Sequence, residues 1–441
     1  MIITYSFFNF VSLHFKYKRH IYMRKILNFL VPICLMSCFS CAPANSSSSI
    51  KPTSEEPEID LSRYPNIVED YSNLSYLFND AEISNPFWLG NVIYNETVLL
   101  SRDSKTGIIS GKLAYTPVKI LAIKDYTLKT KDYVLNEDYT IDGKVITRTE
   151  NSSMPFLEDT TLRGEYLPDG YRLVSSISNI ATDCVLMGPA YYTESDLYYG
   201  NQIQVSYVYD VKEIDPDYNS FPSYKLDSLP HLKAKLEAKQ DVKIVGLGDS
   251  VLQGCSSSKK FNHEPFMDTF FDMTIQYLDE RFDSKITGNN LSVGGTQSSW
   301  GANSTQIYNV SQENPDLLIL HFGINDLGAG VGANSYIDNM LSIVLEIRNR
   351  CPNCDFLILT PFGPNPLIYD YERIDGYINK IKREITDSIQ GTALVDVFEV
   401  SKKLYENKKY QDMTANGINH VNDYASRIYL QSILSTIVKY K

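Results

Sequence analysis

The run VKIVGLGDSVLQGCSSS, Val242 to Ser258, joins an apolar stretch to the turn Gly248-Asp249-Ser250 and then to small polar residues. It reads as a buried strand that ends near Gly248 and carries a serine hydroxyl into the following turn. Glycine, aspartate and serine are also ordinary turn residues. The role of Ser250 therefore depends on what the rest of the chain brings beside it.

From Asp241 onward, short apolar runs alternate with amphipathic ones. VKIVGL, KITGNNLSV, DLLILHFG, DFLILT and ALVDVF read as strands. Between and after them, Phe271, Ile275, Leu278 and Phe282 recur at helical spacing, as do Ile337, Met340, Leu341, Val344 and Ile347. ERIDGYINKIKREITDSI and a last run with Leu430, Ile433, Leu434 and Ile437 follow the same period. This alternation predicts a parallel sheet covered by helices on both faces. Such sheets bind ligands at the carboxyl ends of their strands, so the chemistry is expected just after each strand.

Residues 61–225 have a different pattern. In NQIQVSYVYDV, Ile203, Val205, Tyr207 and Tyr209 alternate with Gln204, Ser206 and Asp210. DYTIDGKVITRT places Asp142-Gly143 between two strand-like runs, a hairpin signal. Helical periodicity is scarce, and the expectation is an antiparallel β-sandwich, jelly-roll-like, of residues 61–225. A proline-bearing connector with Pro216, Pro222 and Pro230 leads to the α/β region at 240–441.

The leader carries a separate signal. From Met23, Arg24 and Lys25 precede an apolar core from Ile26 to Met36. That core is too short for a bilayer and suits a secretory signal. Leu35-Met36-Ser37-Cys38 resembles a bacterial lipoprotein box, which implies lipidation at Cys38; Cys41 fits less well. Residues 1–45 are then a leader and 46–60 a Ser-, Pro- and Glu-rich tether. The expected location is outside the bacterial plasma membrane, held by an N-terminal lipid anchor.

The formal net charge is −12 and no basic cluster stands outside the leader, which argues against a general nucleic-acid binder. Tyrosine is abundant, at 32 copies, and packing on half-buried strand faces is its simplest use. The body holds Cys184, Cys255, Cys351 and Cys354. Cys351 and Cys354 form a lone CxxC with no histidine pair at ligand spacing, so neither zinc nor any other metal is expected. They are read as turn residues between a helix and a strand.

Four polar blocks fall at predicted strand ends: GDS at 248–250, NLSVGG at 290–295, GIND at 323–326 and NGINH at 416–420. Together they supply acyl-transfer machinery. Ser250 can act as nucleophile and His420 as its base. The Ser250 N–H, the Gly295 N–H and the Asn325 side-chain amide can form an oxyanion hole. These blocks, over about residues 241–441, resemble the SGNH (GDSL-type) hydrolase family. The resemblance implies a flavodoxin-like three-layer domain, esterase or lipase activity and no metal or cofactor. Some secreted members carry an N-terminal β domain and deacetylate polysaccharides.

One position departs from the family. The aspartate usual three residues before the catalytic histidine is Gly417 here. Asp412, Asn416 or a backbone carbonyl could orient His420 instead. Among the other histidines, His231 lies in the connector, His263 in a polar loop and His321 inside a strand, where it reads as a bonded core residue. Asp249 and Asp326 read as loop-bracing or helix-capping groups. Trp300 could stack on a sugar or pack. TPFGPNP, 360–366, could wall the cleft. The expected activity is hydrolysis of O-acyl esters, acetyl on carbohydrate foremost, through an acyl-serine. A lipase or lysophospholipase and a non-catalytic glycan-binding surface lipoprotein are the alternatives.

Overall fold

The computed structural model describes residues 59–440 apart from 77–82, 130–131, 176–183 and 189. Cys38, Cys41, the leader and most of the tether lie outside the described residues. From Ser62 onward the chain is one compact unit, so the β-rich and α/β regions are packed together rather than separate bodies.

Five strands form the parallel sheet: Val242–Gly248, Ile286–Asn290, Leu317–His321, Asp355–Leu359 and Thr392–Val395. Numbered along the chain, their spatial order is 2-1-3-4-5, with every pairing parallel. This is the flavodoxin-like order, and the order in which the chain adds strands reverses between the first and the third, the point where such sheets open a crevice. Ser250 follows that strand directly. Leu317–His321 is buried at every position, as the unbroken apolar run requires of a sheet covered on both faces.

One face carries Val245, Leu247, Leu318, Leu320, Phe356 and Ile358. They pack under Ile337, Met340, Val344 and Ile347 of helix Ala333–Arg350 and under Ile374, Ile378 and Ile381 of helix Tyr371–Ile381. The other face is covered by helices Phe270–Arg281 and Asp423–Ile437, which pack on each other, Phe270 stacking on Tyr429. Thr269 and Asn422 cap these two helices by accepting backbone N–H groups of Asp272 and Ala425.

The N-terminal region holds a three-stranded antiparallel sheet, in the order Val92–Leu99, Gln202–Tyr209, Pro117–Asp125. A second, five-stranded sheet contains the predicted hairpin, Tyr139–Asp142 with Val145–Arg148. Its turn falls one residue later than expected, on Gly143 and Lys144, with Gly143 at φ 53. The alternating run at 202–209 is a strand, and every residue of it is buried. Its polar side faces protein: Gln202 Nε2 donates to the carbonyls of Gln411 and Thr414, and Gln204 Nε2 to that of Tyr126.

Helix Asp423–Ile437 shows the same effect from the other side. All of its residues are buried, polar ones included. The Arg427 guanidinium donates to the carbonyls of Tyr94 and Asn95, and Gln431 to that of Ile83. Deeper still, Lys408 and Glu96 form a fully buried ion pair at 2.6 Å. Glu96 also accepts from the Ala114 N–H and the Tyr207 hydroxyl. Breaking such a pair from one side leaves an uncompensated charge in the interior. Lys408→Met is expected to lower the unfolding free energy in urea by about 3–5 kcal/mol, and adding Glu96→Gln is expected to recover part of that loss.

Candidate functional site

Ser250 opens the short helix Ser250–Gln253, and Asp249 caps it by accepting the Val251 N–H at 3.0 Å. The same Asp249 oxygen accepts His321 Nδ1–H at 2.9 Å, and the far ring nitrogen of His321 meets the Tyr429 hydroxyl at 3.0 Å. His321 is fully buried. It is a bonded core histidine that ties the turn to the helix behind the sheet. A serine mounted on such a turn has little rotational freedom in its backbone.

The second block lies against the first. Gln253 Oε1 accepts the Gly294 N–H at 2.8 Å. Gly294 is thereby the glycine that sits close to the serine: a Cβ on it would lie 3.5 Å from Ser250 Cβ. Gly295, the predicted donor, has φ +77, and a Cβ there would meet nothing within 4 Å. Backbone twist, not crowding by protein atoms, demands glycine at this point. Asn325 donates from Nδ2 to the Thr296 carbonyl at 2.8 Å. A primary amide has two N–H bonds, so one remains for a ligand. Asp326 accepts both the backbone N–H and the hydroxyl of Ser298, and burial raises its pKa. It braces the loop.

His420 comes from a segment with little regular structure. Asn416 Oδ1 accepts three consecutive N–H groups, those of Ile418, Asn419 and His420, each at 3.0 Å. Asn365, in the predicted wall segment, bonds the Ile418 and Gly417 carbonyls. Held in this way, His420 Nε2 stands 2.9 Å from Ser250 Oγ. Residues 170 apart in sequence thus meet at one rim of the sheet.

The other ring nitrogen, Nδ1, has two neighbours that the sequence did not announce. Ser256 Oγ is 2.7 Å away, and Glu194 Oε1 is 3.1 Å away. Glu194 belongs to the β-rich region. Its Oε1 also receives the Tyr192 hydroxyl at 2.7 Å and Asn416 Nδ2 at 3.2 Å. Burial alone would raise the Glu194 pKa, but the nearby imidazole and these donors outweigh it and hold it low. Burial alone would depress His420, but the Glu194 carboxylate outweighs it and raises the value above that of a free histidine. The opposed directions describe one coupled pair.

Asp412 is not near the ring: it accepts the Leu99 N–H and lies 3.6 Å from Lys408. Asn416 acts on the backbone of the histidine and on Glu194, not on the ring. His263 stacks on Tyr199, His231 bonds Asp316, and Trp300 packs against the core under the sheet. Cys351 and Cys354 are buried free thiols between helix Ala333–Arg350 and strand Asp355–Leu359. Among the described residues, no group of three His, Cys, Asp or Glu side chains stands where it could hold a metal ion.

A serine hydroxyl on an imidazole, at the carboxyl edge of a five-stranded parallel sheet, defines a three-layer α/β domain of the serine-hydrolase type. Residues 247–428 match the GDSL-like lipase/acylhydrolase family. No curated protein matches the chain. Among solved structures, it is similar to a two-domain esterase active on acetylated mannans, at 18% identity and TM-score 0.37, over 50% of this chain and 57% of that one. The chain thus spans little more than half the length of that esterase. It is also similar to an acetylxylan esterase from Geobacillus stearothermophilus (15%, TM-score 0.36, 44% and 92%). A carbohydrate esterase family 3 structure from Talaromyces cellulolyticus stands at 15%, TM-score 0.35, 44% and 94%.

The Asn416 side chain generates a prediction. Removing its oxygen leaves three N–H groups without their acceptor in a mostly buried loop. Asn416→Ala is expected to lower stability by about 1–3 kcal/mol for each such group that water cannot reach, read as a fall in the thermal midpoint.

Proposed function

We propose that the protein is an exported serine esterase that hydrolyses O-acyl esters, acetyl on carbohydrate foremost. The observation that carries the reading is the 2.9 Å contact between Ser250 Oγ and His420 Nε2 at the crevice of the sheet. In the proposed reaction Ser250 Oγ attacks the acyl carbonyl while its proton passes to His420 Nε2. The oxyanion faces the Ser250 N–H, the Gly295 N–H and the second N–H of Asn325. The Ser250 N–H, at the first position of a helix, has no intrahelical acceptor. His420 then protonates the sugar alkoxide as it leaves, and the acyl group stays on Ser250. Water, deprotonated by His420, releases the acid and restores the serine.

The carbohydrate part of the reading, and export with a lipid anchor at Cys38, rest on the leader and on the family resemblance.

Ser250→Ala and His420→Ala are each expected to lower kcat on p-nitrophenyl acetate by about 10⁴–10⁶-fold, and the double variant by scarcely more. Equal rates in Ser250→Ala and the wild type would remove the assignment. The base must be unprotonated to accept the serine proton, and its pKa is raised. The acid limb of the kcat/KM profile is therefore expected above the ordinary histidine value of about 6.5. Rates on a series of acyl chain lengths are expected to fall beyond acetyl and propionyl.

A further inference from the structure

We infer that Glu194, carried by the β-rich region, is the carboxylate that orients His420 and stabilises its imidazolium, in place of an acid on the histidine's own loop. This inference rests on the Ser250–His420 reading above and adds a positioning residue to it.

Three observations carry it. The first is geometry: Glu194 Oε1 lies 3.1 Å from His420 Nδ1 while Nε2 of the same ring lies 2.9 Å from Ser250 Oγ. A carboxylate on one nitrogen fixes the tautomer and leaves the other nitrogen free to take the serine proton. The second is support. Tyr192 and Asn416 both donate to that oxygen, and the Thr193 N–H bonds the Asn416 carbonyl at 3.2 Å. The glutamate is thereby pinned to the loop that bears the histidine.

The third observation is at Gly417. Its φ is +82, and a Cβ on it would stand 2.2 Å from the Tyr191 carbonyl and 2.5 Å from the Tyr198 hydroxyl. No side chain fits there. The backbone that fills this space is the segment leading to Glu194. The same insertion that forbids an acid at 417 delivers one from the other side.

Proton bookkeeping is simple. The serine proton moves to Nε2, the ring gains one positive charge, Nδ1 keeps its proton, and Glu194 stays ionised throughout. When Nε2 protonates the leaving alkoxide, the ring returns to neutral. Ser256 Oγ also meets Nδ1, at 2.7 Å, but a hydroxyl carries no charge to balance an imidazolium. The other groups facing His420 are Asp249, whose charge acts in the same direction as that of Glu194, and three neutral ones around the pair: Cys255, pushed up to about 11 by burial, and the Tyr192 and Tyr199 phenols, also raised by burial.

The test compares Glu194→Gln, Glu194→Asp and Ser256→Ala with the wild type in kcat and KM for an acetyl ester, and in the His420 ring titration followed by NMR. Glu194→Gln is expected to lower kcat by about 10²–10⁴-fold with KM changed by less than about threefold. Its ring is expected to titrate at lower pH than in the wild type, because burial then outweighs what charge remains. Glu194→Asp keeps the charge and is expected to recover part of both. Gly417→Asp added to Glu194→Gln is expected to rescue neither, for want of space. A kcat in Glu194→Gln within about threefold of the wild type, or an unmoved ring titration, overturns the inference. So does a collapse seen in Ser256→Ala alone. If Glu194→Gln does not fold, Glu194→Asn against Glu194→Asp carries the same contrast. A wild type that cleaves no ester would refute the esterase reading, while the ring titration would still decide the coupling.

Discussion

The site depends on burying a stretch of chain that has almost no regular structure of its own. Between Lys408 and Asn422 the backbone forms a short 3-10 turn and one isolated bridge, so its polar groups must find partners elsewhere. The β-rich region supplies them. Thr97 donates to the Asp412 carbonyl, the Leu99 N–H to the Asp412 side chain, and Gln202 to the Gln411 and Thr414 carbonyls. The two N–H groups of Asn422 Nδ2 are shared among Thr97 Oγ1, Gln202 Oε1 and the Asp412 carbonyl, all within 3.0 Å. Thr97, Gln202, Asp412, Thr414 and Asn422 are buried, and each of these bonds would be costly to lose. His420 is positioned because its loop has nowhere else to go.

This arrangement places residues of the β-rich region against the loop and the ring of His420. Thr97 and Leu99, late in strand Val92–Leu99, and Gln202, at the start of the central strand Gln202–Tyr209, form the bed of the histidine loop, and the segment before Gln202 brings Glu194 to the ring. Lys408, paired with Glu96, lies at one end of the loop, and Arg427, bonded to Tyr94 and Asn95, lies just past the other. A charge pair and a guanidinium buried so deeply are poor sources of stability by themselves.

Much of this was legible in advance. The alternation of apolar strands and amphipathic helices after Asp241 defines a parallel sheet, and strand-end placement puts Ser250, Gly295, Asn325 and His420 at one edge. The β character of the N-terminal region also reads directly. Burial was not legible from the pattern: strand 202–209 alternates polar with apolar residues, and helix Asp423–Ile437 carries Arg427 and Gln431, yet every residue of both is buried. Periodicity records polarity, not exposure, and here each polar face is the solvent of the other.

Glu194 gave no signal at all. It lies 226 residues before His420, in a segment with no motif, and its contact with the ring exists only because two sheets of different kinds close on one loop. Gly417, by contrast, was visible as an anomaly, an empty place where an acid was expected, but its cause was not. The sequence determines on which edge of the sheet the four polar blocks fall, since that follows from local pattern. Which carboxylate faces the imidazole, and why none can stand at 417, are decided only by packing between segments far apart in the chain, where space and charge are settled together.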